Sequence, residues 1–424
     1  METGSLARFL EGVEVERVPG VLSREYEPAR LIYRGQGRGP ALLFRVEGVP
    51  QDSASNIIDT RDKLYRALRV SGDEEAYRRL LGSLSSPSRL HISGAPRLRV
   101  AERGLMSLPA IRFYEGEGGL YISSSIFIAC SGEVCNASIH RIMVTGEREA
   151  RVRLVPRHLY RMWREAAGKG KDLPVTVVIG VNPLVTLSAA LTPPYGVFEL
   201  EIASSLLGGL EAFESPVHGN PVPAGAAAIV EARLTPKLED EGPYVDALGT
   251  YDRVRKQPVL AVDRVYLNMD EPTHVIMQGG LEHVMLMGFP REAQIWRSVS
   301  GVVPRVHKVR LTPASGGWLH AVISIDKNHD GDGKNAIMAA FAGHPSLKHV
   351  VVVDSDVDPE DPGQVEWAIA TRFQADRDLV VVREARGSTL DPSSRDGMTS
   401  KVGVDATMPL GGGLVFRRGR IPGV

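Results

Sequence analysis

Two carboxylates and an arginine are the side chains of this sequence best suited to acid–base chemistry. Glu241 and Asp246 lie five positions apart across a Gly-Pro bend. Arg141 occurs a hundred residues earlier, in a segment of small and β-branched residues that also contains Asn136. A carboxylic acid can donate a proton, an arginine can hold a partner carboxylate ionised, and an amide oxygen can bind a hard metal ion. This combination indicates an enzyme.

The pair of Glu241 and Asp246 has two interpretations. Carboxylates held close together on a turn do not both ionise freely, so one of them can serve as an acid near neutral pH. The simpler interpretation is a polar turn with two exposed acidic side chains. The spacing alone favours the simpler one.

A metal-binding set can be assembled from Asn136, His158 and Glu199. Amide, imidazole and carboxylate donors suit Mn²⁺ or Mg²⁺ better than Zn²⁺. Nothing in the linear sequence brings the three together. A surface histidine and an acidic residue in the first turn of a helix explain His158 and Glu199 equally well.

The composition is typical of a globular protein that can bury several cores. Of the 424 residues, 43% are hydrophobic and 24% are charged, and the net charge of −1 favours neither nucleic acid nor an anionic membrane as a partner. No apolar run is long enough to cross a bilayer, and the first residues lack the pattern of a secretion signal. We therefore expect a cytoplasmic protein.

The two cysteines, Cys130 and Cys135, are expected to be free thiols. Their number does not predict a disulfide framework, and a reducing cytoplasm would keep them reduced. A zinc pair is disfavoured because no second Cys/His pair occurs at a suitable spacing. The sequence favours buried thiols that act as small apolar side chains.

The pattern of apolar residues changes twice along the chain, which predicts an α+β fold of several domains. Residues 1–98 mix helical spacing with strands such as Ala41–Val46, as in an α/β domain. Residues 99–302 carry short β-branched runs between Gly and Pro turns, among them 121–129, 228–232 and 259–265, with one helix near 198–208. This pattern favours a barrel or sandwich. Residues 303–424 alternate strand and helix, which predicts an α/β layer with parallel crossovers.

Motifs along the whole chain resemble those of the UbiD-like family of decarboxylases. They occur in the family's order through all three segments, so the resemblance is specific. The matching segments are residues 136–141, His158, residues 181–183, Glu199 with Ala203 and residues 207–208, residues 223–231, residues 241–246 with Tyr251, and residues 400–407.

The resemblance implies a fold, a cofactor and a set of ligands. The central domain would be a split β-barrel of the flavin-reductase type that binds prenylated FMN through Mn²⁺ or Mg²⁺, with K⁺ as a further candidate ion. The implied residues are Asn136, His158 and Glu199 as metal ligands, and Ile139, His140, Arg141 and Lys401 as cofactor contacts, with Lys401 reaching the phosphate.

The implied activity is decarboxylation of an α,β-unsaturated acid without oxidation. Loss of CO₂ from an sp² carbon leaves a carbanion that side chains cannot delocalise, so the cofactor must supply the electron sink. Asp246 would then be the proton donor and Glu241 the partner of Arg141. Arg141 would also orient the substrate carboxylate as a forked donor.

Chain length, arginine bias and the late motifs are most similar to the archaeal branch of this family. That branch converts trans-anhydromevalonate 5-phosphate to isopentenyl phosphate and CO₂ in a mevalonate pathway, which makes a phosphorylated unsaturated acid the expected substrate. The alternatives are an aromatic acid such as a 4-hydroxybenzoate derivative, and a flavin-binding protein without turnover. The resemblance also implies a flavin prenyltransferase as cofactor supplier and a homo-oligomer assembled through the C-terminal layer.

Overall fold

The computed structural model describes residues 3–419, and the chain divides into two compact units, Met1–Leu286 and Met287–Val424. No helix within the described residues is both long and apolar enough to cross a membrane. The helices are α1 (Leu6–Leu10), α2 (Glu27–Gly35), α3 (Arg61–Leu68), α4 (Asp73–Ser85), α5 (His158–Ala167), α6 (Pro183–Ala189), α7 (Glu199–Leu207), α8 (Leu281–Val299), α9 (Asp332–Gly343), α10 (Pro362–Arg372) and α11 (Ala375–Asp378).

The strands of the first unit belong to several sheets, and those of the second unit to one. In the first unit they are β1 (Val15–Leu22), β2 (Ala41–Val46), β3 (Ser53–Ser55), β4 (His91–Ile92), β5 (Arg99–Val100), β6 (Leu120–Ile122), β7 (Ile126–Ser131), β8 (Val134–Ile139), β9 (Ile142–Val144), β10 (Glu149–Val152), β11 (Leu173–Ile179), β12 (Glu211–Glu214), β13 (Pro221–Pro223), β14 (Ala228–Glu241), β15 (Tyr244–Val245), β16 (Tyr251–Asp252), β17 (Arg255–Leu267) and β18 (Thr273–His274). In the second unit they are β19 (Arg305–Leu311), β20 (His320–Asp326), β21 (His349–Asp354), β22 (Leu379–Arg386) and β23 (Met398–Asp405).

The largest sheet must curl, because strands that are close in sequence lie at opposite ends of it. Its order is β6-β9-β10-β17-β14-β11-β7-β8, with β5 paired to β17. β8 ends at Ile139 and β9 begins at Ile142, so the link between them spans at most about 11 Å. So short a link can join the two strands only if the sheet curls and brings its β8 edge close to β9. The result is a curled half-barrel, and His140 and Arg141 form the link.

A long ribbon of β14 and β17 carries Glu241 to the end of this sheet. The strands pair from Ala228 opposite Leu267 to Glu241 opposite Arg255, with irregularities near residues 231–232 and 234–238 that bend the ribbon. The sequence predicted strands only at 228–232 and 259–265. Glu241 is therefore the last residue of a strand, and the Gly-Pro bend follows it.

Apolar side chains cover both faces of the curled sheet. One cluster includes Phe127, Val175 and Val177 and packs on α5, while the other includes Ile126, Val178 and residues of α6 and α7. This division follows from the alternation of side chains along a strand. This packing positions helices α6 and α7 beside β8.

The N-terminal sheet contains a strand from far along the chain. Its order is β1-β2-β3-β18, so Thr273 and His274 pair with β3. β2 has the predicted bounds, Ala41–Val46. Because this sheet joins sequence positions on both sides of residue 98, residues 1–286 form one compact unit. A separate domain at 1–98, like the boundary at 302/303, stays a prediction.

The second unit is a sheet of order β19-β20-β21-β23-β22 with helices on both faces. Strands β20, β21 and β23 are parallel, while the edge strands β19 and β22 are antiparallel to their neighbours. Val350 and Val352 face α9, whereas Val351 and Val353 face α10. Residues 400–405 of the late motif lie in β23, within a stretch rich in Gly and Ser for which the sequence predicted no strand.

Two further elements differ from what the sequence predicted. The run 121–129 is interrupted at residues 123–125, where the chain leaves β6 and enters β7. The long helix α8 was missed because its apolar residues resemble the runs before it. In both places the strand propensity of apolar residues was outweighed by tertiary packing.

Cys130 and Cys135 form a disulfide bond, which contradicts the expectation of buried free thiols. The two residues are half-buried and directly opposite each other in the β7–β8 hairpin, with Cα atoms 4.1 Å apart. Opposed residues of a hairpin approach this closely at positions between hydrogen-bonded pairs. The register of the hairpin, which the sequence left open, brings the two sulfur atoms together.

Candidate active site

Arg141 is the centre of a buried network of charged side chains. Its Nε donates to Oε1 of Glu241 at 2.7 Å, and its Nη2 donates to Oε2 at 2.9 Å. The Glu241 side chain has no exposed surface and that of Arg141 is 8% exposed. Burial acts to lower the pKa of Arg141, but the hydrogen bonds and charge of Glu241 outweigh it and raise that pKa. The guanidinium is therefore permanently charged.

Two further carboxylates approach the same guanidinium. Nη1 of Arg141 donates to Asp246 at 3.4 Å, and Nη2 donates to Asp252 at 3.2 Å. Burial acts to raise the pKa of Asp252, but Arg255 and Arg141 outweigh it and lower that pKa. The Asp246 side chain is 22% exposed, against 13% for Asp252 and none for Glu241. Asp246 is thus the carboxylate best placed to meet a substrate.

The fork that Arg141 was expected to offer to a substrate carboxylate is occupied. Both of its atoms, Nε and Nη2, donate to Glu241. The remaining nitrogen, Nη1, faces Asp246. Arg141 therefore positions Glu241 and Asp246 relative to each other, and Nη1 is its only side-chain nitrogen that does not donate to Glu241.

Two tyrosines close one face of the network. The Arg141 Cζ atom lies 3.9 Å from the centroid of the Tyr244 ring, and the Tyr121 ring lies 4.6 Å from that of Tyr244. Tyr121 also donates to the carbonyl of Pro243 at 3.3 Å. Burial raises the pKa of both hydroxyl groups, so both tyrosines are neutral. They shield Arg141 from water on this side.

Glu117 ties the Asp246 turn to the segment that precedes α8. Its Oε2 accepts from two backbone N–H groups just before it, and its Oε1 accepts from Nε2 of Gln278 at 2.6 Å. The backbone N–H of Val245 also bonds to this carboxylate. Burial raises the pKa of Glu117, and these bonds oppose the rise. One buried carboxyl thus holds three segments around the site.

His283 lies in the first turn of α8, within electrostatic reach of Asp246. Its Nδ1 accepts from the backbone N–H of Gly279 at 3.1 Å. Burial lowers the pKa of His283, and the charge of Asp246 acts in the opposite direction. His283 is a second titratable group beside Asp246 that the sequence did not single out.

A second polar cluster lies along β8. Asn136, Ser138 and His140 share a face because alternate residues of a strand point the same way. Asn136 Nδ2 donates to Oε1 of Glu199 at 2.8 Å, and the backbone N–H of Ala137 donates to Oε2 at 2.7 Å. Glu199 is buried at the start of α7, and burial raises its pKa to about 7. Neither of these partners carries a positive charge.

The amide oxygen of Asn136 receives no hydrogen bond from Ser138, because Ser138 has only one hydrogen to donate. His140 Nδ1 faces the carbonyl of Arg153 at 3.0 Å, and Nε2 lies 2.9 Å from Ser138 Oγ. Burial lowers the pKa of His140 to about 4, so the ring is neutral and its single hydrogen must be on Nδ1. Ser138 then donates its only hydrogen to Nε2. It cannot also donate to Oδ1 of Asn136, 3.0 Å away.

The oxygens of Asn136 and Glu199 therefore fit a divalent metal ion. They are hard donors in a buried position, without a cationic side chain among these partners, which is the environment that Mn²⁺ or Mg²⁺ requires. Within residues 3–419, no group of three or more His, Cys, Asp or Glu side chains is arranged as a metal site. The predicted set of Asn136, His158 and Glu199 contains two such side chains and one amide, so it stays a prediction.

The remaining predicted residues lie in different surroundings. His158 begins α5, and its ring lies 5.3 Å from that of Tyr195; among the described residues no hydrogen bond joins it to Asn136 or Glu199. Ile139 ends β8 and packs on the cluster beside α6 and α7. Lys401, in the second unit, donates from Nζ to the carbonyls of Pro345 and Leu347. Its contact with a cofactor phosphate stays a prediction.

Sequence reasoning missed several residues of the site. Ser138 could have been found from its alternation with Asn136. Asp252 follows the tyrosine that closes the Glu241 turn, but nothing in the sequence relates it to Arg141. Glu117 has no sequence pattern at all, because the segments that it joins are brought together only by folding.

The chain belongs to the UbiD family of carboxy-lyases. Residues 94–281 match the family model described as the 3-octaprenyl-4-hydroxybenzoate carboxy-lyase Rift-related domain. Residues 284–406 match the model of the C-terminal domain of the same family. The two matches together run from residue 94 to residue 406 and so reach into both units, and the first contains the whole Arg141 network.

Among curated proteins, the chain is 60% identical to the anhydromevalonate phosphate decarboxylase of Aeropyrum pernix, over 100% of this chain and 97% of the relative. The UbiD-class enzyme HmfF from Pelotomaculum thermopropionicum, solved in complex with FMN, is 37% identical with a TM-score of 0.93, covering 99% of this chain and 98% of that one. An evolved dimeric form of HmfF, solved with prFMN, is 34% identical with a TM-score of 0.89, covering 99% and 97%.

Proposed function

We propose that this protein is a decarboxylase that converts trans-anhydromevalonate 5-phosphate to isopentenyl phosphate and CO₂ with prenylated FMN. The observation that carries the chemistry is the Arg141 network, in which Glu241 is fully buried and Asp246 is partly exposed. The substrate rests on the 60% identity, over the full length, to a relative named for this reaction. An archaeal-type mevalonate pathway is the corresponding biological role.

Asp246 is the residue that returns the proton after CO₂ has left. A general acid must lie within hydrogen-bond reach of the carbon that receives its proton, and Asp246 has exposed surface for that contact. Arg141 holds Asp246 through Nη1 and holds Glu241 through Nε and Nη2. Glu241 thus fixes the orientation of the guanidinium, and the guanidinium fixes that of Asp246.

Prenylated FMN would be held beside β8 through a divalent ion on Asn136 and Glu199. When bound, the cofactor supplies the electron sink that side chains lack. Support comes from the free oxygen of Asn136, the uncompensated carboxylate of Glu199 and the flavins in the HmfF structures. We assign Ile139, His140 and Arg141 as contacts of the cofactor. We also assign His158, at the start of α5, as a ligand of the same metal ion.

Several associated features belong to the same proposal. The metal is Mn²⁺ or Mg²⁺, K⁺ is an auxiliary ion, and Lys401 reaches the cofactor phosphate. A flavin prenyltransferase supplies the cofactor in the cytoplasm. The split barrel at 99–302 is the cofactor domain between the domains 1–98 and 303–424, and the protein works as a homo-oligomer.

Two alternatives have weaker support. An aromatic acid is the substrate of other decarboxylases, but the relative that is 60% identical is named for an aliphatic phosphate. A flavin-binding protein without turnover has no need of an arginine shared by three carboxylates in a buried site. The intact network favours catalysis.

A substrate panel tests the proposal. The protein is produced together with a flavin prenyltransferase, and bound prenylated FMN is verified by mass spectrometry. CO₂ release is then measured with trans-anhydromevalonate 5-phosphate, with its dephosphorylated form and with 4-hydroxybenzoate. We expect rapid release from the first compound only.

Each other outcome points to one alternative. Release from 4-hydroxybenzoate without release from the phosphate compound would establish an aromatic substrate. Equal rates with and without the phosphate group would contradict a phosphorylated substrate. A loaded protein that releases CO₂ from none of the three, under conditions in which a UbiD-class control enzyme works, would support the non-catalytic alternative.

A further inference from the structure

His283 lies where the start of α8 meets the turn that carries Asp246. The segment before α8 approaches this turn closely, since a Cβ atom at Gly279 would lie 3.5 Å from the carbonyl oxygen of Asp246. Gly279 has a φ of +69°, a conformation that glycine adopts without strain. Among the described residues, Asp246 is the charged group that acts on His283.

Hydrogen bonds hold this segment and the Asp246 turn together. The carboxylate of Glu117 accepts from Gln278 on one side and from the backbone N–H of Val245 on the other. The hydroxyl of Tyr114 donates to the carbonyl of Gln278 at 2.8 Å. The position of His283 beside the Asp246 turn is therefore set by the fold.

The bond to Gly279 determines which ring nitrogen of His283 carries the hydrogen. The backbone N–H of Gly279 donates to Nδ1 at 3.1 Å, so Nδ1 is the bare acceptor and the hydrogen of the neutral ring is on Nε2. A second proton could enter only at Nδ1, where it would break this bond. Burial also disfavours the charged ring, because it lowers the pKa of His283. His283 is therefore a neutral hydrogen-bond donor.

The Nε2–H group of His283 is available to a ligand. Among the described residues, no group accepts a hydrogen bond from it, and His283 is only half-buried. Arg141, by contrast, uses Nε and Nη2 for Glu241, and its Nη1 donates to Asp246. The Nε2–H group of His283 is thus a donor beside Asp246 that the protein itself does not use.

Under the proposed function, on which this inference rests, the substrate carboxylate lies in the same region. The carbon that loses CO₂ is the carbon that receives the proton, so the carboxylate and Asp246 approach the same atom. As the carbon–carbon bond breaks, its electron pair stays on the substrate side and the carboxylate becomes neutral CO₂. A cationic clamp would stabilise the charged carboxylate of the starting acid more than the transition state. A neutral donor orients the carboxylate with less of this penalty.

We propose that His283 binds the substrate carboxylate by donating its Nε2–H to a carboxylate oxygen. His283 is then a substrate-binding residue in addition to the Arg141 network. Because Gly279 holds Nδ1, the ring keeps Nε2 as its free nitrogen and presents one fixed donor. The phosphate, at the other end of the substrate, does not contact His283.

Calorimetric titration of the cofactor-loaded protein tests this contact with two ligands that cannot react. One is 3-methyl-5-phosphooxypentanoate, the substrate with its double bond reduced. The other is 3-methylbutyl phosphate, which lacks only the carboxyl group of the first. His283→Leu removes the donor and should weaken binding of the acid at least about tenfold, while binding of 3-methylbutyl phosphate stays unchanged. His283→Gln, whose amide nitrogen can take the position of Nε2, should restore most of the affinity for the acid.

His91→Leu is the matched control, since His91 is an exposed histidine of β4 in the same unit. It should bind both ligands like the unchanged protein, and circular dichroism establishes that each variant is folded. Nuclear magnetic resonance of protein labelled with ¹⁵N-histidine reports the tautomer directly. The signals that disappear in His283→Leu should be those of a neutral ring with its hydrogen on Nε2 at pH 7.

The possible outcomes separate this inference from the proposed function. Equal weakening of both ligands in His283→Leu would show a role in packing or at the phosphate, and unchanged affinity for the acid would remove His283 from the site. Either result overturns the inference and leaves the proposed function standing. A charged ring, or a hydrogen on Nδ1, would overturn it as well. Failure of the unchanged protein to bind either ligand would contradict the proposed substrate, and with it the role of His283.

Discussion

At the scale of single residues, the site works because positive and negative charges balance in a buried space. Arg141 contacts Glu241, Asp246 and Asp252, and Asp252 is also paired with Arg153 and Arg255. Three arginines thus meet three carboxylates. A buried charge without a partner would be costly, so the network is held as a unit. Asp246 is its most exposed carboxylate, which is why we propose Asp246 as the proton donor.

Asp246→Asn should abolish decarboxylation without loss of bound flavin. The amide keeps the shape of the side chain but cannot act as a general acid, a role usually worth about 10²–10⁴-fold in rate. CO₂ release and flavin absorbance measure the two effects in one preparation. Asp240→Asn is the matched control, since Asp240 is exposed on the same ribbon and paired with Lys256. Normal turnover by the Asp246 variant would disprove the assigned proton donor.

Glu199 should make metal binding depend on pH. Burial raises its pKa to about 7, and a metal ion must displace the proton below that pH. Affinity for Mn²⁺ should therefore fall by up to about tenfold per pH unit below 7 and level off above it. Electron paramagnetic resonance of free Mn²⁺ provides the measurement.

Glu199→Gln should bind Mn²⁺ weakly at every pH and lose this dependence. Glu201→Gln, on the same helix but outside the cluster, should behave like the unchanged protein. Unaltered Mn²⁺ affinity in the Glu199 variant would remove Glu199 from the metal site.

At the scale of elements, the β7–β8 hairpin and the link after it position the side chains that we propose to hold the cofactor. β8 presents Asn136 and Ser138 on one face, and His140 follows on the same face. The hairpin lies at the edge of the curled sheet, where a strand has a neighbour on one side only. The disulfide between Cys130 and Cys135 fastens its two strands beside Asn136.

Reduction of this disulfide should lower stability modestly. The bond closes a short loop, for which the entropic contribution is about 2 kcal/mol. We expect the melting temperature to fall by a few degrees in dithiothreitol. The Cys130→Ser/Cys135→Ser protein should melt like the reduced protein and should not respond to dithiothreitol. Titration of two free thiols in the unreduced, denatured protein would show that the bond is absent.

For the molecule as a whole, the boundary between the two compact units lies close to the boundary between the two family-model matches. The models meet between residues 281 and 284, and the structural units meet between Leu286 and Met287. The Arg141 network and the Asn136–Glu199 pair both lie in the first unit. Lys401, the predicted contact of the cofactor phosphate, lies in the second unit.

We expect the protein to be an oligomer in solution. One solved relative is described as an evolved dimeric form, and the proposal here is a homo-oligomer assembled through the second unit. Light scattering coupled to size-exclusion chromatography should give a mass that is a multiple of the 46.0 kDa chain. A mass of one chain at micromolar concentration, unchanged on dilution and on cofactor loading, would contradict this expectation.

Local patterns predicted the parts of the fold that depend on neighbouring residues. β2 was predicted with its correct bounds, and α7 was predicted within a residue at each end, because alternation and helical spacing are read within one element. α8 was missed, and the length of β14 was underestimated, because its polar second half is stabilised by pairing with β17.

The family, and with it the residue types of the site, can be recognised from motifs that occur in a fixed order along the chain. Which of these residues come into contact depends on how the chain folds. The curl of the sheet carries Arg141 to Glu241, hairpin register joins Cys130 to Cys135, and burial leaves Glu199 without a compensating charge. These outcomes depend on contacts between residues far apart in the chain, whose geometry is set by packing and not by local preference.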